Sequence, residues 1–171
     1  MEAKKPSDSL TIMTELVLPN DINLLGNLMG GRLLYWMDIA SALAASKHAM
    51  SSVVTASVDN VSFKQPIKLG SVITIEAKVT RAFKTSMEVH MVVYAQTLRH
   101  GKKVTSNEAF YTFVALDENG VPLDVPPIIP ETDQEKAVFE GAERRREVRL
   151  VLAGKIKAHE AEALKKLFSQ A

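Results

Sequence analysis

The residue types that could do chemistry are concentrated between positions 19 and 45 of the 171-residue chain. A polar loop carries Asn23, Asn27 and the Gly30-Gly31 pair, and it runs into an apolar helical stretch with a single carboxylate, Asp38. A glycine-bearing loop that leads into a helix N-terminus exposes unpaired N–H groups at the positive end of the helix dipole. Such donors suit a phosphate group or the oxyanion that develops when a carbonyl is attacked.

Asp38 is unusual because its neighbours in the helix are apolar. Trp36, Met37, Ile39 and Ala40 surround it in sequence, so the pattern predicts that the carboxylate is buried. A buried carboxylate requires hydrogen-bond or charge partners, or it has a functional role. Two interpretations stay open at this point, a reactive group and an interface or capping Asp.

The helix separates the two possible halves of a site. Gly31 and Asp38 are seven residues apart, hence about 10 Å along the axis at 1.5 Å per residue. One chain cannot bring both groups to a single carbonyl, so if both act they must come from antiparallel helices of neighbouring subunits. A small-residue face would permit that approach, although packing on the chain's own sheet is equally compatible with it. Its members are Ser41, Ala42, Ala45 and Ser46.

The elements around this stretch predict an α+β domain, in which a curved antiparallel sheet wraps one long central helix. A first strand at 10–18 precedes the helix, and four antiparallel strands are expected to follow in hairpin succession, with a turn at His100-Gly101. In the first of these four, Val54, Ala56 and Val58 form one face, and a bulge or bend is expected beside Asp59 and Asn60. The remaining strands are predicted at 73–80, 87–95 and 103–117.

A proline-rich connection separates this domain from the C-terminal part. We expect a domain at 10–125 and a proline-linked helical extension at 126–171, with helices at 131–152 and 155–168. The run Arg144 to Arg146 is flanked by glutamates at helical spacing, so a solvated face is favoured over a nucleic-acid patch.

Composition excludes several classes of function. The formal net charge is +1, so nothing calls for nucleic acid or a membrane surface. The chain has no Cys, no run long enough to span a membrane and no signal-peptide core at its start, which together favour a cytoplasmic location. The four histidines lack metal-ligand spacing, and no dinucleotide or P-loop fingerprint occurs, so neither a metal nor a separate cofactor is predicted.

Several segments, taken in order, resemble a known family. They are PNDIN..GN.MGGRLLYWMD, VVTASVDNVSFKQP, ITIEAKV and EAFYTFVALDENGVP. Over residues 10–125 the chain resembles the hot-dog-fold acyl-CoA thioesterases of the YciA and brain acyl-CoA hydrolase type. The resemblance implies a hot-dog fold, hydrolysis of fatty acyl-CoA to free acid and CoA, a homodimer as the minimal active unit, and a hexamer built as a trimer of dimers.

The resemblance also implies roles for particular residues. Asn23 and Asp38 match the family's asparagine and aspartate, which lie in a composite site shared between two subunits. Asn27, Gly30 and Gly31 match the part of the loop that approaches the thioester carbonyl. Asp38 would serve as general base or as nucleophile, which the sequence does not separate, and the glycine N–H groups would stabilise the oxyanion.

The chain departs from the family's pattern in one place. Leu28 and Met29 are apolar where the family often has Asp or His.

Coenzyme A needs cations for its phosphates. The candidates stand at predicted strand ends or turns with hydroxyls beside them, where phosphate oxygens could be met, although for each alone a surface charge is the favoured interpretation. They are Lys64, Arg81, Lys84, Thr85 and Ser86.

Two other functions use the same fold. A hot-dog dehydratase would need a catalytic His near the loop or helix, and none lies between residues 19 and 45. A non-catalytic acyl-CoA sensor would couple the pocket to a DNA-binding module, but the C-terminal helices show no strong basic recognition face. An oligomerisation or lid role is the milder interpretation of the extension.

Overall fold

The structure is a computed structural model that describes residues 1–59, 61–63, 65–98 and 101–168. The predictions made for Asn60, Lys64 and His100 therefore fall outside the described residues. The chain forms two compact units, Met1–Ile129 and Pro130–Ala171.

The first unit contains one long helix and one five-stranded antiparallel sheet. The helix contacts all five strands, which confirms the predicted α+β arrangement. Along the sheet the strand order is β1-β3-β4-β5-β2. In chain order the elements are β1 (Thr11–Leu16), α1 (Gly30–Ala49), β2 (Ser52–Val58), β3 (Ser71–Ala82), β4 (Ser86–Thr97) and β5 (Val104–Leu116).

The predicted hairpin succession is correct for three strands and wrong for one. β3, β4 and β5 are consecutive antiparallel neighbours, but β2 pairs with β5 instead of β3. The physical reason is the connection from β2 to β3, which leaves β2 after Val58 and enters β3 only at Ser71. That length is too great for a tight turn and lets the chain cross over β5 and β4 to the position between β1 and β4.

The irregularity predicted near Asp59 lies earlier in the strand. The register of β2 against β5 shifts between Thr55 and Ser57, so the bulge is inside the strand. Val54 and Val58, which were expected to form an apolar face, are 47% and 49% exposed. An edge strand has a neighbour on one side only, so its alternation does not identify a buried face.

The core lies between α1 and the inward residues of the central strands. Leu33, Trp36, Met37, Ala40 and Ala44 of α1 are buried, as their spacing predicts. The alternation predicted for β3 and β4 is confirmed by the buried residues Ile73, Ile75, Ala77, Val79, Met87, Val89, Met91 and Val93. In β5, the buried residues Ala109, Tyr111, Phe113 and Ala115 also stand at alternate positions. Full burial of one aliphatic side chain stabilises the fold by about 1.5–3 kcal/mol, so this contact fixes the helix on the sheet.

The second unit is helical. α2 (Asp133–Leu152) starts at a capping box in which the Thr132 hydroxyl accepts from the Glu135 N–H at 3.2 Å. Gly154 follows with φ +67°, and the last helix, α3, spans Glu162–Phe168. The helix predicted from residue 155 thus begins later, because a left-handed residue and a single 3-10 turn precede it. Across the part of the chain that is described, no helix is long and apolar enough to cross a membrane.

Candidate active site

The loop before α1 is closed by Asn23. Its Oδ1 accepts hydrogen bonds from the N–H groups of Leu25 at 2.9 Å and Asn27 at 3.2 Å. Its own N–H donates to the Asn27 carbonyl at 2.8 Å, and Gly26 supplies the positive φ that the turn requires. Because two backbone donors occupy Oδ1, the Nδ2 group is the part of Asn23 that can donate to a ligand.

Further contacts attach this loop to its surroundings. Asp21 is buried, and its Oδ1 lies 2.8 Å from the Nε of Arg32 in the first turns of α1. The Asp21 carbonyl accepts from the Met29 N–H at 2.8 Å, and Leu28 donates to the Ile67 carbonyl at 2.7 Å. The loop is therefore held to the helix on one side and to the segment before β3 on the other.

The N-terminus of α1 carries no side-chain cap. Its N-cap residue, Met29, makes no capping hydrogen bond, and the first turn has no acidic residue. The N–H groups of Gly30 and Gly31 have no acceptor within an α-helix, whereas the next one, that of Arg32, already donates to the Met29 carbonyl at 3.0 Å. This end of the helix thus keeps its donors and its positive dipole for a ligand.

The two glycines face different surroundings. A Cβ on Gly30 would lie 3.2 Å from Cζ of Phe63, so the ring would have to move by a few tenths of an ångström to accept one. A Cβ on Gly31 would meet nothing within 4 Å. Neither glycine has a positive φ, so close approach and open space, not backbone conformation, distinguish these positions.

A cavity of about 310 Å³ lies beside the loop and the helix N-terminus. It brings together Asn23, Asn27 and Gly30 of the predicted site, whereas Gly31 is not among its lining residues. Oδ1 of Asn27 is buried and has no hydrogen-bond partner among the described residues. The remaining lining residues are Leu28, Leu33, Phe63, Gln65, Pro66, Ile67 and Asn107. The cavity therefore combines an apolar wall with convergent amide groups, as ligand pockets commonly do.

Asp38 lies apart from this cavity and is half-buried instead of fully buried. It faces the edge strand β2, where the Thr55 hydroxyl donates to its Oδ1 at 2.8 Å. Burial, and secondarily the charge of Asp38, raises the pKa of Tyr111 to about 12. The expectation of burial failed because α1 turns this residue toward a strand with only one neighbour, which leaves the carboxylate partly open.

The separation of the two halves also follows from the sheet. Asn107 of β5 lines the cavity, and Phe113 of the same strand pairs with Thr55. Six residues of strand span about 20 Å, and the unbroken α1 places Asp38 about 10 Å beyond Gly31. One chain thus carries a loop half and a carboxylate half that do not meet.

The small-residue face of α1 is shared between two environments. Ser41 and Ala45 are buried on the chain's own sheet, and the Ser41 hydroxyl lies 3.4 Å from Sδ of Met91. Ala42 and Ser46 are half-buried. For Ser41 and Ala45, packing within the chain is therefore the correct interpretation.

The candidates for binding CoA phosphates lie near the carboxylate half. None of Arg81, Lys84, Thr85 and Ser86 lines the cavity, and all four belong to the end of β3, the start of β4 and the turn between them. Ser86 of β4 pairs with Val114 of β5. On its other side, Val114 pairs with the β2 residue that directly precedes Thr55. Two strand spacings are about 10 Å, so this turn is close to Thr55. The position of Lys64 is not described.

Two site residues were missed by the sequence predictions. Thr55 was missed because threonine is common in strands, so its residue type gives no signal. Only its hydrogen bond to Asp38, which the folded chain reveals, connects it with the candidate site. Asn107 left a weak signal, since asparagine is disfavoured in strand interiors. In the described part of the chain, no group of three or more His, Asp or Glu side chains could hold a metal ion.

Comparison with known proteins assigns the family. Residues 25–102 match the thioesterase superfamily. The chain is 35% identical over 144 residues to the uncharacterized acyl-CoA thioester hydrolase YkhA of Bacillus subtilis and covers 84% of its length. It is 41% identical over 139 residues to the mouse acetyl-coenzyme A thioesterase and 36% identical over 146 residues to the rat cytosolic acyl coenzyme A thioester hydrolase. It spans only 25% and 38% of the length of these two relatives.

Solved structures confirm the fold. The crystal structure of an apo-hexameric acyl-CoA thioesterase superposes with a TM-score of 0.86 at 42% identity, over 90% of this chain and 98% of that one. The acyl-CoA hydrolase of Staphylococcus aureus, in complex with butyryl coenzyme A, coenzyme A and coenzyme A disulfide, superposes with a TM-score of 0.81 at 34% identity, over 98% of each chain.

Alanine variants of the Staphylococcus aureus enzyme have also been characterised, at one asparagine, one aspartate and one threonine. Those three positions are 15 and 17 residues apart, which are also the spacings of Asn23, Asp38 and Thr55 in this chain. From its relatives and its fold, the chain belongs to the hot-dog acyl-CoA thioesterases of the thioesterase superfamily.

Proposed function

We propose that this protein hydrolyses acyl-CoA thioesters to a free acid and CoA in an active site built from two subunits. The observation that carries the proposal is the pair of half-sites, the Asn23 loop beside the uncapped start of α1 and the Asp38–Thr55 hydrogen bond. The same three residue types at the same spacings were varied in a hydrolase of this family.

The geometry suits attack of water on a thioester carbonyl. Asp38 of one subunit takes a proton from water, whose oxygen bonds to the carbonyl carbon. The resulting oxyanion accepts hydrogen bonds from Nδ2 of Asn23 and from the N–H groups at Gly30 and Gly31 of the other subunit. The C–S bond then breaks, the sulfur takes the proton back from Asp38, and CoA leaves as the thiol. Direct attack by Asp38, followed by hydrolysis of the anhydride, uses the same residues.

Thr55 has a clear place in this scheme. Its hydroxyl donates to Oδ1 of Asp38 at 2.8 Å. A carboxylate oxygen that is already engaged fixes the orientation of the group, so Oδ2 is the oxygen aimed at water or at the carbonyl carbon. We therefore assign Thr55 the role of positioning the catalytic carboxylate.

The sheet edge supports dimerisation. β2 is an outer strand, and Val54 and Val58 leave apolar surface on it. A second copy that pairs along this exposed edge forms hydrogen bonds with the unpaired backbone groups of the strand. Twofold symmetry then creates two equal composite sites. A hexamer built as a trimer of dimers extends the same proposal, with the hexameric relative as its support.

The proposal includes where coenzyme A lies. Arg81, Lys84, Thr85 and Ser86 are near Thr55 in the sheet, so the phosphates would lie over the subunit that supplies Asp38. The acyl group would enter the cavity of the subunit that supplies Asn23. CoA is the only cofactor-like group required, as part of the substrate, and a cytoplasmic location is proposed by analogy with the cytosolic rat relative.

Release of free thiol from acyl-CoA substrates tests the proposal. Asp38→Asn and Asn23→Ala should each lower kcat by about 10²- to 10³-fold, the usual cost of one group acting on the transition state. Asp133→Asn is the matched control because Asp133 is an exposed carboxylate of the second unit and belongs to neither half-site. Near-normal turnover in Asp38→Asn would contradict the assignment, and acyl-CoA binding without any turnover by the unaltered protein would favour a sensor.

A further inference from the structure

Asn107 is a buried amide with both ends engaged. Only 3% of its surface is exposed, its Nδ2 donates to the Ser62 carbonyl, and its Oδ1 accepts from the Ser106 hydroxyl at 2.7 Å. Ser106 is an extra residue in β5, because the register against β4 shifts there. Such a bulge re-aims side chains beside functional sites, so the strand irregularity explains how two adjacent polar side chains bond to each other.

The Ser62 carbonyl links Asn107 to an aromatic wall. Phe63 follows Ser62, lines the cavity, and lies so close to Gly30 that a Cβ there would be 3.2 Å from its ring. The ring is 52% exposed, so packing alone does not fix it. The hydrogen bond from Asn107 ties this segment to β5 immediately before Phe63.

The position of the ring bears on the acyl group. Because the Phe63 ring lies against Gly30, we expect a carbonyl bound by the Gly30 N–H to have its carbon substituent near that ring. That substituent is an alkyl chain in an acyl-CoA, and the neighbouring wall residues Leu28, Leu33 and Ile67 are also apolar. An aromatic ring at this point sets how much room the first carbons of the chain have.

We propose that Asn107 is a positioning residue that seats Phe63 over the helix N-terminus, and that Phe63 determines which acyl chains the site accepts. This inference rests on the proposed thioesterase activity. Asn107 is not assigned to the chemistry, because the protein itself engages both ends of its amide.

A double-mutant cycle on chain-length preference tests the proposal. The ratio of kcat/KM for octanoyl-CoA to that for butyryl-CoA is measured for the unaltered protein, Phe63→Ala, Asn107→Leu and the double variant. Asn107→Leu keeps a similar branched shape and removes both hydrogen bonds without adding charge. Asn119→Leu is the control, since Asn119 lies in an exposed turn.

We expect Phe63→Ala to change the ratio by about tenfold, the usual discrimination of an apolar pocket wall. Asn107→Leu should change it in the same direction, with no further change in the double variant. Hydrogen exchange of the Ser62 and Phe63 amides should accelerate in Asn107→Leu, and this readout needs no activity.

Every other outcome contradicts one specific part of the proposal. An unchanged ratio in Phe63→Ala overturns the specificity role, and this exposed position leaves folding intact. An unchanged ratio in Asn107→Leu, or changes that multiply independently in the double variant, overturns the positioning role. If the unaltered protein releases no thiol from either substrate, the thioesterase proposal itself fails, while the exchange measurement still tests the contact with Ser62.

Discussion

Replacing Thr55 by valine removes one hydroxyl and little else. Valine keeps the branched shape and the preference for a strand, so the edge strand β2 should be unaffected. What is lost is the 2.8 Å hydrogen bond to Oδ1 of Asp38. A hydrogen bond to a charged group contributes about 1.5–3 kcal/mol. Because Thr55 is exposed and water replaces part of that bond, we expect a loss of about 1–2 kcal/mol, or about 5- to 30-fold in kcat/KM.

The assay is thiol release from butyryl-CoA, with thermal unfolding measured in parallel. Thr55→Ser is the matched control, because it retains the hydroxyl and loses only a methyl group. Thr55→Ser should keep most of the activity, and both variants should unfold within a few degrees of the unaltered protein, as is usual for exposed positions.

Two results would refute this reasoning. Activity of Thr55→Val within twofold of the unaltered protein would show that the hydrogen bond does not position the carboxylate. Equal losses in Thr55→Ser and Thr55→Val would show that the methyl group, and hence packing on β2, matters more than the hydroxyl.

Three further predictions address other parts of the molecule. Gly31→Ala should leave unfolding unchanged or stabilise the helix by about 0.5 kcal/mol, yet lower turnover at least tenfold, because its Cβ enters open space at the proposed oxyanion position; unchanged turnover would contradict this. The folded protein keeps the Tyr111 proton up to about pH 12, whereas the unfolded chain loses it near pH 10, so the free energy of unfolding should fall by about 3 kcal/mol over that range. Tyr111→Phe should lack this part of the alkaline loss in denaturant titrations, and an identical loss would contradict the raised pKa. Thr132→Ala should cost the second unit about 1 kcal/mol of helix stability without changing thiol release, and a fall in thiol release would link the α2 cap to the active site.

The fold was predictable where local pattern decides it. Alternation identified β3 and β4, a stretch that is apolar on both faces near its end identified β5, and the apolar flank of α1 identified the central helix. The place of β2 was not predictable in this way. An edge strand can pair at either side of a sheet, and its choice of β5 depends on contacts distant in sequence.

The candidate site could be proposed from the sequence where residue type is unusual. A carboxylate in an apolar helix and an asparagine-glycine loop before it drew attention to Asp38 and Asn23. Thr55 and Asn107 were missed because their significance comes from partners, Asp38 and Ser62, that only the folded chain brings near. The prediction that Asp38 is fully buried was wrong for the same reason, because its exposure depends on the side of β2 that has no neighbouring strand.

The two-subunit site is the central claim, and complementation tests it most directly. Asn23→Ala and Asp38→Ala subunits, each nearly inactive alone, are unfolded together in equal amounts and refolded. Random pairing makes half of the dimers mixed, and each mixed dimer has one intact composite site of two. The account predicts recovery of about one quarter of the activity of the unaltered protein. Activity that stays at the level of the separate variants, with mixed dimers shown to form, would contradict it.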